Sequence, residues 1–79
     1  MLAAALEHLV KGIVDHPDEV RVASAESPRG EVLELRVHPE DLGRVIGRSG
    51  RTAKALRTLV SALADERRVR VDIVDTDAA

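Results

Sequence analysis

The first fourteen positions of the chain carry apolar residues at helical spacing. They follow one another every one to four positions, as Leu2, Leu6, Leu9, Val10 and Ile13, with polar side chains between them. This pattern predicts an amphipathic helix over about residues 2–14. Pro17 predicts its end, because the residue before a proline avoids the helical region.

The next segment changes to strict alternation. Val20 and Val22 alternate with charged residues, which predicts a strand to about Ala25. A turn follows at Ser27-Pro28-Arg29-Gly30, since serine, proline and glycine each favour turn geometry. Leu33, Leu35 and Val37 then alternate with polar residues in a second strand, so the pair should form a hairpin.

The second half of the chain returns to helical spacing. Pro39 suits the first turn of a short helix, which Gly47 should stop. A longer helix is predicted from about Arg51 to Ala64, and a last strand over 69–74. The helix residues predicted to face inward are Ala53, Leu56, Leu59, Val60 and Leu63. The tail from about Asp75 should be frayed.

This order of elements predicts the fold class. A strand that returns through two helices to another strand makes a crossover, so the last strand should pair parallel with the second. The prediction is an α+β fold, α-β-β-α-α-β, with three helices on one face of a three-stranded mixed sheet. With 79 residues, the chain should form a single domain over 1–79.

Composition restricts the chemistry of this domain. The chain has no Phe, Tyr or Trp, so it cannot hold nucleic-acid bases by stacking them on aromatic rings. Cysteine is absent, and His8, His16 and His38 lack the close spacing of metal ligands, so we expect no metal and no cofactor. The N-terminus lacks a basic leader and a membrane-length apolar run, which predicts a cytoplasmic protein.

Charge is distributed unevenly. The net charge is -2, yet the span between Leu42 and Ala64 contains no acidic residue and holds five of the 12 lysines and arginines. Seven basic residues therefore remain against 14 acidic ones elsewhere, and the basic span should attract anions locally. Its cations are Arg44, Arg48, Arg51, Lys54 and Arg57.

Two glycines three positions apart lie within this basic span. Gly47 and Gly50 can take backbone angles closed to other residues and let a ligand's backbone approach the main chain. Amides around Ser49, Gly50 and Arg51 precede the long helix, where unsatisfied donors favour phosphate. Arg48 and Arg51 can add bidentate contacts. The alternative for the glycine pair is a tight corner between two helices.

The segment GRVIGRSGRTAKALRTLV contains the I-G-x-x-G signature of KH domains, and the element order resembles the type II KH arrangement. Together with LVKGIVDHPDEVRV, it is similar to the small stand-alone bacterial KH proteins of the KhpA (YlqC) family over about residues 6–74. Ala53 departs from the general pattern, because an Ile often follows the second glycine by three. This substitution makes the apolar floor of the site shallower.

The resemblance implies an RNA-binding site. About four single-stranded nucleotides should lie between the helices flanking GRSG and the last strand. Ile46, Ala53 and Leu56 are candidates for its floor, although core packing is favoured for Ile46 and Leu56. The complete set of predicted RNA-binding residues is Arg44, Ile46, Gly47, Arg48, Ser49, Gly50, Arg51, Ala53 and Lys54.

The resemblance also implies partners: a homodimer, or a complex with a larger KH-containing RNA-binding protein, in RNA chaperone or post-transcriptional regulatory roles. No enzymatic activity is expected. A Walker A loop needs four residues between its first glycine and Gly-Lys, but only three separate Gly43 from Gly47, and Arg48 follows. Two alternatives stay open: a helix-turn-helix-like DNA-binding module, and a subunit that mainly dimerises.

Overall fold

A computed structural model describes residues 2–65 and 67–74. The order of elements is the predicted one. Three α-helices and three strands make up the fold, and short 3-10 turns at Pro17–Glu19, Pro39–Asp41 and Arg48–Gly50 connect them. The elements are α1 (Leu2–Lys11), β1 (Arg21–Ser27), β2 (Gly30–Arg36), α2 (Leu42–Ile46), α3 (Arg51–Ala64) and β3 (Val69–Ile73).

The three strands form one mixed sheet in the order β1-β2-β3. β1 pairs antiparallel with β2 through the two-residue turn at Pro28 and Arg29, with Ser27 opposite Gly30. β3 pairs parallel with β2, in a register that places Val71 beside Leu33. The crossover through α2 and α3 therefore brings β3 to an edge of the sheet, as the sequence predicts.

The helices cover one face of this sheet. The fully buried side chains come from every layer: Leu6 and Val10 from α1, Leu33 and Leu35 from β2, and Val60 from α3. On β1 every residue except the half-buried Val22 is exposed, because β1 is an edge strand and the core reaches only its beginning, at Val20 and Val22. The α+β architecture with helices on one face is confirmed.

Several boundaries differ from the predicted ones. The helix predicted to open at Pro39 begins as a 3-10 turn and is α-helical only from Leu42, and β3 ends at Ile73, one residue before the predicted end. α1 ends at Lys11 and not near Val14, because the amides of Gly12 and Ile13 bond to the carbonyls three residues back, and this tighter turn ends the α-helix. β1 extends to Ser27, since the hairpin turn takes only two residues. The predicted frayed tail from Asp75 lies outside the described residues.

The predicted orientation of two leucines on α3 was wrong. Leu59 and Leu63 were expected to face inward, but they are 42% and 54% exposed. The buried stripe of α3 consists of Ala53, Leu56, Val60 and Ala64. Each exposed leucine precedes a member of this stripe by one residue, which turns it about 100° around the helix and away from the sheet.

The described helices were also compared with the length of a membrane span. None of those within residues 2–65 and 67–74 is both long and apolar enough to cross a bilayer.

Candidate nucleic-acid interface

The GRSG loop, residues 47–50, has an unusual backbone. Gly47, Ser49 and Gly50 all have positive φ angles, of 77°, 57° and 74°. Ser49 is the one non-glycine among them, and a side chain in that region is uncommon outside turns and functional loops. The chain thus reverses direction within four residues, between the end of α2 and the start of α3.

The two glycines are required for different reasons. A Cβ on Gly47 would lie 2.3 Å from the Thr52 Oγ1 and 2.8 Å from the Thr52 amide nitrogen, so the loop closes against α3 only without a side chain there. A Cβ on Gly50 would meet no atom within 4 Å. The space above Gly50 is open, and a ligand's backbone can approach the main chain at that point.

The loop also uses some of the amides that the sequence assigned to phosphate. The Gly50 amide donates to the Gly47 carbonyl at 3.2 Å, and the Arg51 amide donates to the carbonyl of Arg48. These bonds close the 3-10 turn at Arg48–Gly50. The Ser49 amide has no such acceptor within the described part of the chain, which makes it the first candidate to receive a phosphate oxygen.

Four of the predicted cations surround the loop on the surface. Arg44, Arg48, Arg51 and Lys54 are all exposed. Arg44 lies 3.3 Å from the Asp15 carboxylate, so its positive charge is already partly balanced. Among the described residues, the other three have no carboxylate within ion-pair distance. Their charge is therefore available to an anionic ligand.

The three candidates for an apolar floor separate in the structure. Ile46 is 39% exposed, so the expectation that it packs in the core was wrong and it can contact a ligand beside the loop. Leu56 is buried, as expected, and belongs to the hydrophobic core. Ala53 is only 4% exposed, and its methyl group can form no more than the bottom of a groove.

The outer edge of β3 lies beside α3. The Glu31 amide donates to the Arg68 carbonyl, and the Val74 amide donates to that of Leu35, both at 2.9 Å. Residues along a parallel strand bond alternately to its two sides, so Val69, Val71 and Ile73 direct their N–H and C=O groups to the outer edge. This edge therefore offers backbone donors and acceptors beside α3.

Arg57 connects α3 to this edge of β3. Its Nε–H donates to the Val71 carbonyl at 3.2 Å, from the side of α3 that faces β3. The sequence placed Arg57 in the basic span but did not assign it to the site. A pattern of charges along the chain could not show that this arginine reaches the edge of a strand fourteen residues further on.

Asp41 fixes the start of α2 and therefore the approach to the loop. Its buried carboxylate accepts hydrogen bonds from the Asp15 and His16 amides, at 3.1 and 2.9 Å. Burial alone would raise the pKa of Asp41, but these bonds and the His16 ring outweigh it and lower the pKa. In turn, the hydrogen bond between the His16 ring and Asp41 raises the pKa of His16.

Comparison with known proteins agrees with this geometry. Residues 3–74 match the family described as KhpA/KhpB, KH domain. The chain belongs to this KH-domain family. The match spans every helix and strand except the first residue of α1, so family membership applies to the whole fold and includes the GRSG loop.

Individual relatives extend over nearly the whole chain. A protein of Leifsonia xyli subsp. xyli named RNA-binding protein KhpA is 83% identical over 75 residues, which cover 95% of this chain and 99% of the relative. The protein of that name from Streptomyces coelicolor is 69% identical, covering 98% and 96%. That of Halalkalibacterium halodurans is 53% identical, covering 89% and 95%. No solved structure gives a significant match.

The exposed leucines of this KH domain lie on α3 away from its cations Arg57 and Lys54. Leu59 follows Arg57 by two positions, which places them about 200° apart around α3. Leu63 follows Lys54 by nine positions, or about 180°. The sequence could not separate these leucines from the core because their spacing also fits a broad apolar stripe. The structure assigns them to an exposed apolar strip of their own.

Proposed function

We propose that this KH domain binds short single-stranded RNA in a groove between the GRSG loop, α3 and the outer edge of β3. The observation that carries the proposal is the loop itself. Three of its four residues have positive φ, and the position of a Cβ on Gly50 is open. Cations without acidic partners among the described residues surround that opening.

Each part of the groove has a distinct task in this proposal. The Ser49 amide and the side chains of Arg48 and Arg51 hold phosphates, because oriented N–H donors and guanidinium groups favour the anionic oxygens of a phosphodiester. Arg44 and Lys54 add charge around the loop. Ile46 supplies apolar contact, with Ala53 below it, and the backbone of β3 meets base edges. About four nucleotides fill such a groove.

The absence of aromatic rings has a consequence for affinity. Base stacking on aromatic side chains contributes about 1–3 kcal/mol per base in proteins that use it, and this chain has no such ring. A groove for four nucleotides that relies on phosphates and backbone atoms should therefore bind weakly and with low sequence specificity. A function in RNA chaperoning or post-transcriptional regulation then requires more than one site.

We propose that association supplies the additional sites. The exposed strip formed by Leu59 and Leu63 lies about 120–160° around α3 from Arg57, so a second copy can pack there without covering the groove. Two linked grooves raise apparent affinity through effective concentration. A larger RNA-binding protein with its own KH domain, as family membership suggests, can use the same strip in place of the second copy.

The loop is tested by replacing Arg48 and Ser49 with Asp. Two acidic side chains beside the phosphate path should abolish binding of a short unpaired oligonucleotide, while the glycines and the core stay intact. The matched control is R29D/R36Q, which lowers the net charge by the same three units on exposed residues of the hairpin and β2. If R48D/S49D folds and binds as well as this control, the loop is not the site.

Salt dependence separates this proposal from duplex DNA binding by a helix-turn-helix. Two to four phosphate contacts predict a log-log salt slope of roughly -1.5 to -3 for a single strand. Titrations of an unpaired RNA and of DNA duplexes at two salt concentrations measure it directly. Tighter binding to a specific duplex would favour the helix-turn-helix alternative. Because α2 has only five residues, it is short for the first helix of a helix-turn-helix, and this favours RNA binding at the GRSG loop.

Association is tested by light scattering at micromolar concentration. The wild-type protein should have about twice its chain mass of 8.5 kDa. L59E/L63E should be a monomer, because two carboxylates in a packed apolar contact cost more than a small interface can offset. R48D/S49D should still associate. A wild-type monomer that binds short RNA at nanomolar strength would contradict the proposed role of dimerisation.

A further inference from the structure

Two histidines far apart in the sequence meet at the end of the molecule where β2 leads into α2. The rings of His16 and His38 stack with their centroids 3.9 Å apart and their planes within 12°. His16 precedes the 3-10 turn at Pro17–Glu19, and His38 precedes the one at Pro39–Asp41. Both begin a His-Pro pair, so the fold brings two equivalent turns together.

A carboxylate completes a set of donors around these rings. The Glu40 Oε1 lies 3.9 Å from the His16 Nε2 and 3.8 Å from the His38 Nδ1. One ligand atom from each of the three residues falls within 4.8 Å of the others. Ligand atoms around a tetrahedral zinc ion lie about 3.3 Å apart, as bonds of 2.0–2.1 Å require, so modest side-chain rotations suffice.

A hydrogen bond to Asp41 fixes the orientation of the His16 ring. Its Nδ1 lies 3.0 Å from the Oδ2 of Asp41, whose side chain is 1% exposed. An ionised carboxylate can only accept, so the Nδ1 carries the proton, and in the neutral ring the Nε2 lone pair is left free on the side of Glu40. A carboxylate behind a histidine is the usual support of a metal-binding imidazole.

We propose that His16, His38 and Glu40 form a binding site for a borderline divalent transition metal such as Zn²⁺, with Asp41 as the residue that positions His16. Two imidazoles and one carboxylate suit zinc rather than Ca²⁺ or Mg²⁺, which require oxygen donors. Water can fill the fourth position, because Glu40 is 76% exposed. The ion would join the loop before β1 to the turn before α2.

Binding requires one ring to turn. Lone pairs in two nearly parallel ring planes cannot converge on one ion, so the stacked arrangement is the metal-free state. His38 is the ring that moves. Its Nδ1 accepts a hydrogen bond from the Glu40 amide at 3.0 Å, and that bond must be exchanged for the metal. His16 stays in place on Asp41.

The test is a calorimetric titration of the metal-free full chain with ZnCl₂, at mildly alkaline pH where imidazole is neutral. Wild-type protein should bind one ion per chain. H16Q and H38Q should each weaken binding by at least tenfold, and E40Q should weaken it as well. H8Q is the matched control, because His8 is exposed on α1 outside the cluster, and its affinity should equal that of the wild type.

A second measurement separates Asp41 from a merely structural role. D41N should weaken zinc binding by about 10–100-fold, as loss of a supporting carboxylate does, and D41E should recover part of it. Zinc should also raise the melting temperature of the wild type and H8Q, but not of H16Q. Absence of one-to-one binding by the wild type, or binding as tight as that of the wild type in H16Q and H38Q, would overturn the proposal whatever happens to D41N.

Discussion

Gly47 offers a sharp test of the loop geometry, because its neighbour Gly50 provides an internal comparison. Both have positive φ, but Gly47 has ψ of 171° and Gly50 has ψ of 15°. The first combination is essentially restricted to glycine, and the second is the left-handed region that costs a side chain about 1–2 kcal/mol. Only the Cβ of G47A would also collide with Thr52.

These terms give different expected costs. G50A should lose about 1–2 kcal/mol from backbone strain alone. G47A should lose about 3 kcal/mol or more, since strain of up to about 3 kcal/mol is joined by displacement of the first turn of α3. For a domain of this size each kcal/mol lowers the melting temperature by about 4–8 °C. Thermal and urea unfolding of the two variants measure the difference.

A double-mutant cycle identifies the collision itself. T52A removes the Oγ1, which is the atom nearest to the added methyl, at 2.3 Å. G47A should therefore cost less in the T52A background than in the wild type, with a coupling of about 0.5 kcal/mol or more. If G47A proves no more destabilising than G50A, the described closure of the loop against α3 is wrong.

Other predictions concern the core, the exposed strip and the acid response. L33A should lower the free energy of unfolding by about 3–5 kcal/mol, because Leu33 is fully buried and its removal leaves a cavity. L63A should change the monomer's free energy of unfolding by less than about 0.5 kcal/mol. Urea unfolding measures both. The Ser24 hydroxyl, and after it Arg67, lower the pKa of Glu31. Glu31 therefore stabilises the fold above its ordinary pKa of 4.5, and this contribution is lost as the pH falls through the lowered pKa of the folded state. E31Q should flatten the acid side of melting temperature against pH, and an unchanged acid side would contradict this.

The sequence predicted the fold well where local chemistry and topology agree. The bounds of α3 match the predicted Arg51 and Ala64, since Gly50 before it and Asp65 after it both leave the helical region with positive φ. The parallel pairing of β3 followed from counting two helices between strands. Both inferences need only neighbouring residues and general rules of chain connection.

The remaining features depend on contacts that no local pattern contains. Periodicity gives the angle of Leu59 around α3, but it cannot say how much of that circumference a three-stranded sheet covers. Charge counting located Arg57 but not the Val71 carbonyl that it reaches. His16 and His38 lie 22 positions apart, and only the packing of two His-Pro turns shows that their rings stack. In each case the sequence identifies the residue but not the group that it contacts in the fold.

The division of α3 into two sides links the proposed binding and the proposed association. Arg57 and Lys54 lie on the side that faces the proposed groove, and Leu59 and Leu63 lie about 120–180° away from them around the helix. A dimer formed through the leucines therefore leaves each groove open and turns them away from one another. Such a pair can bind two separated segments of one RNA but cannot enclose a single segment from both sides. An RNA with two unpaired segments joined by a flexible linker should accordingly bind the dimer more tightly than either segment alone, and L59E/L63E should lose that gain while keeping its affinity for one segment.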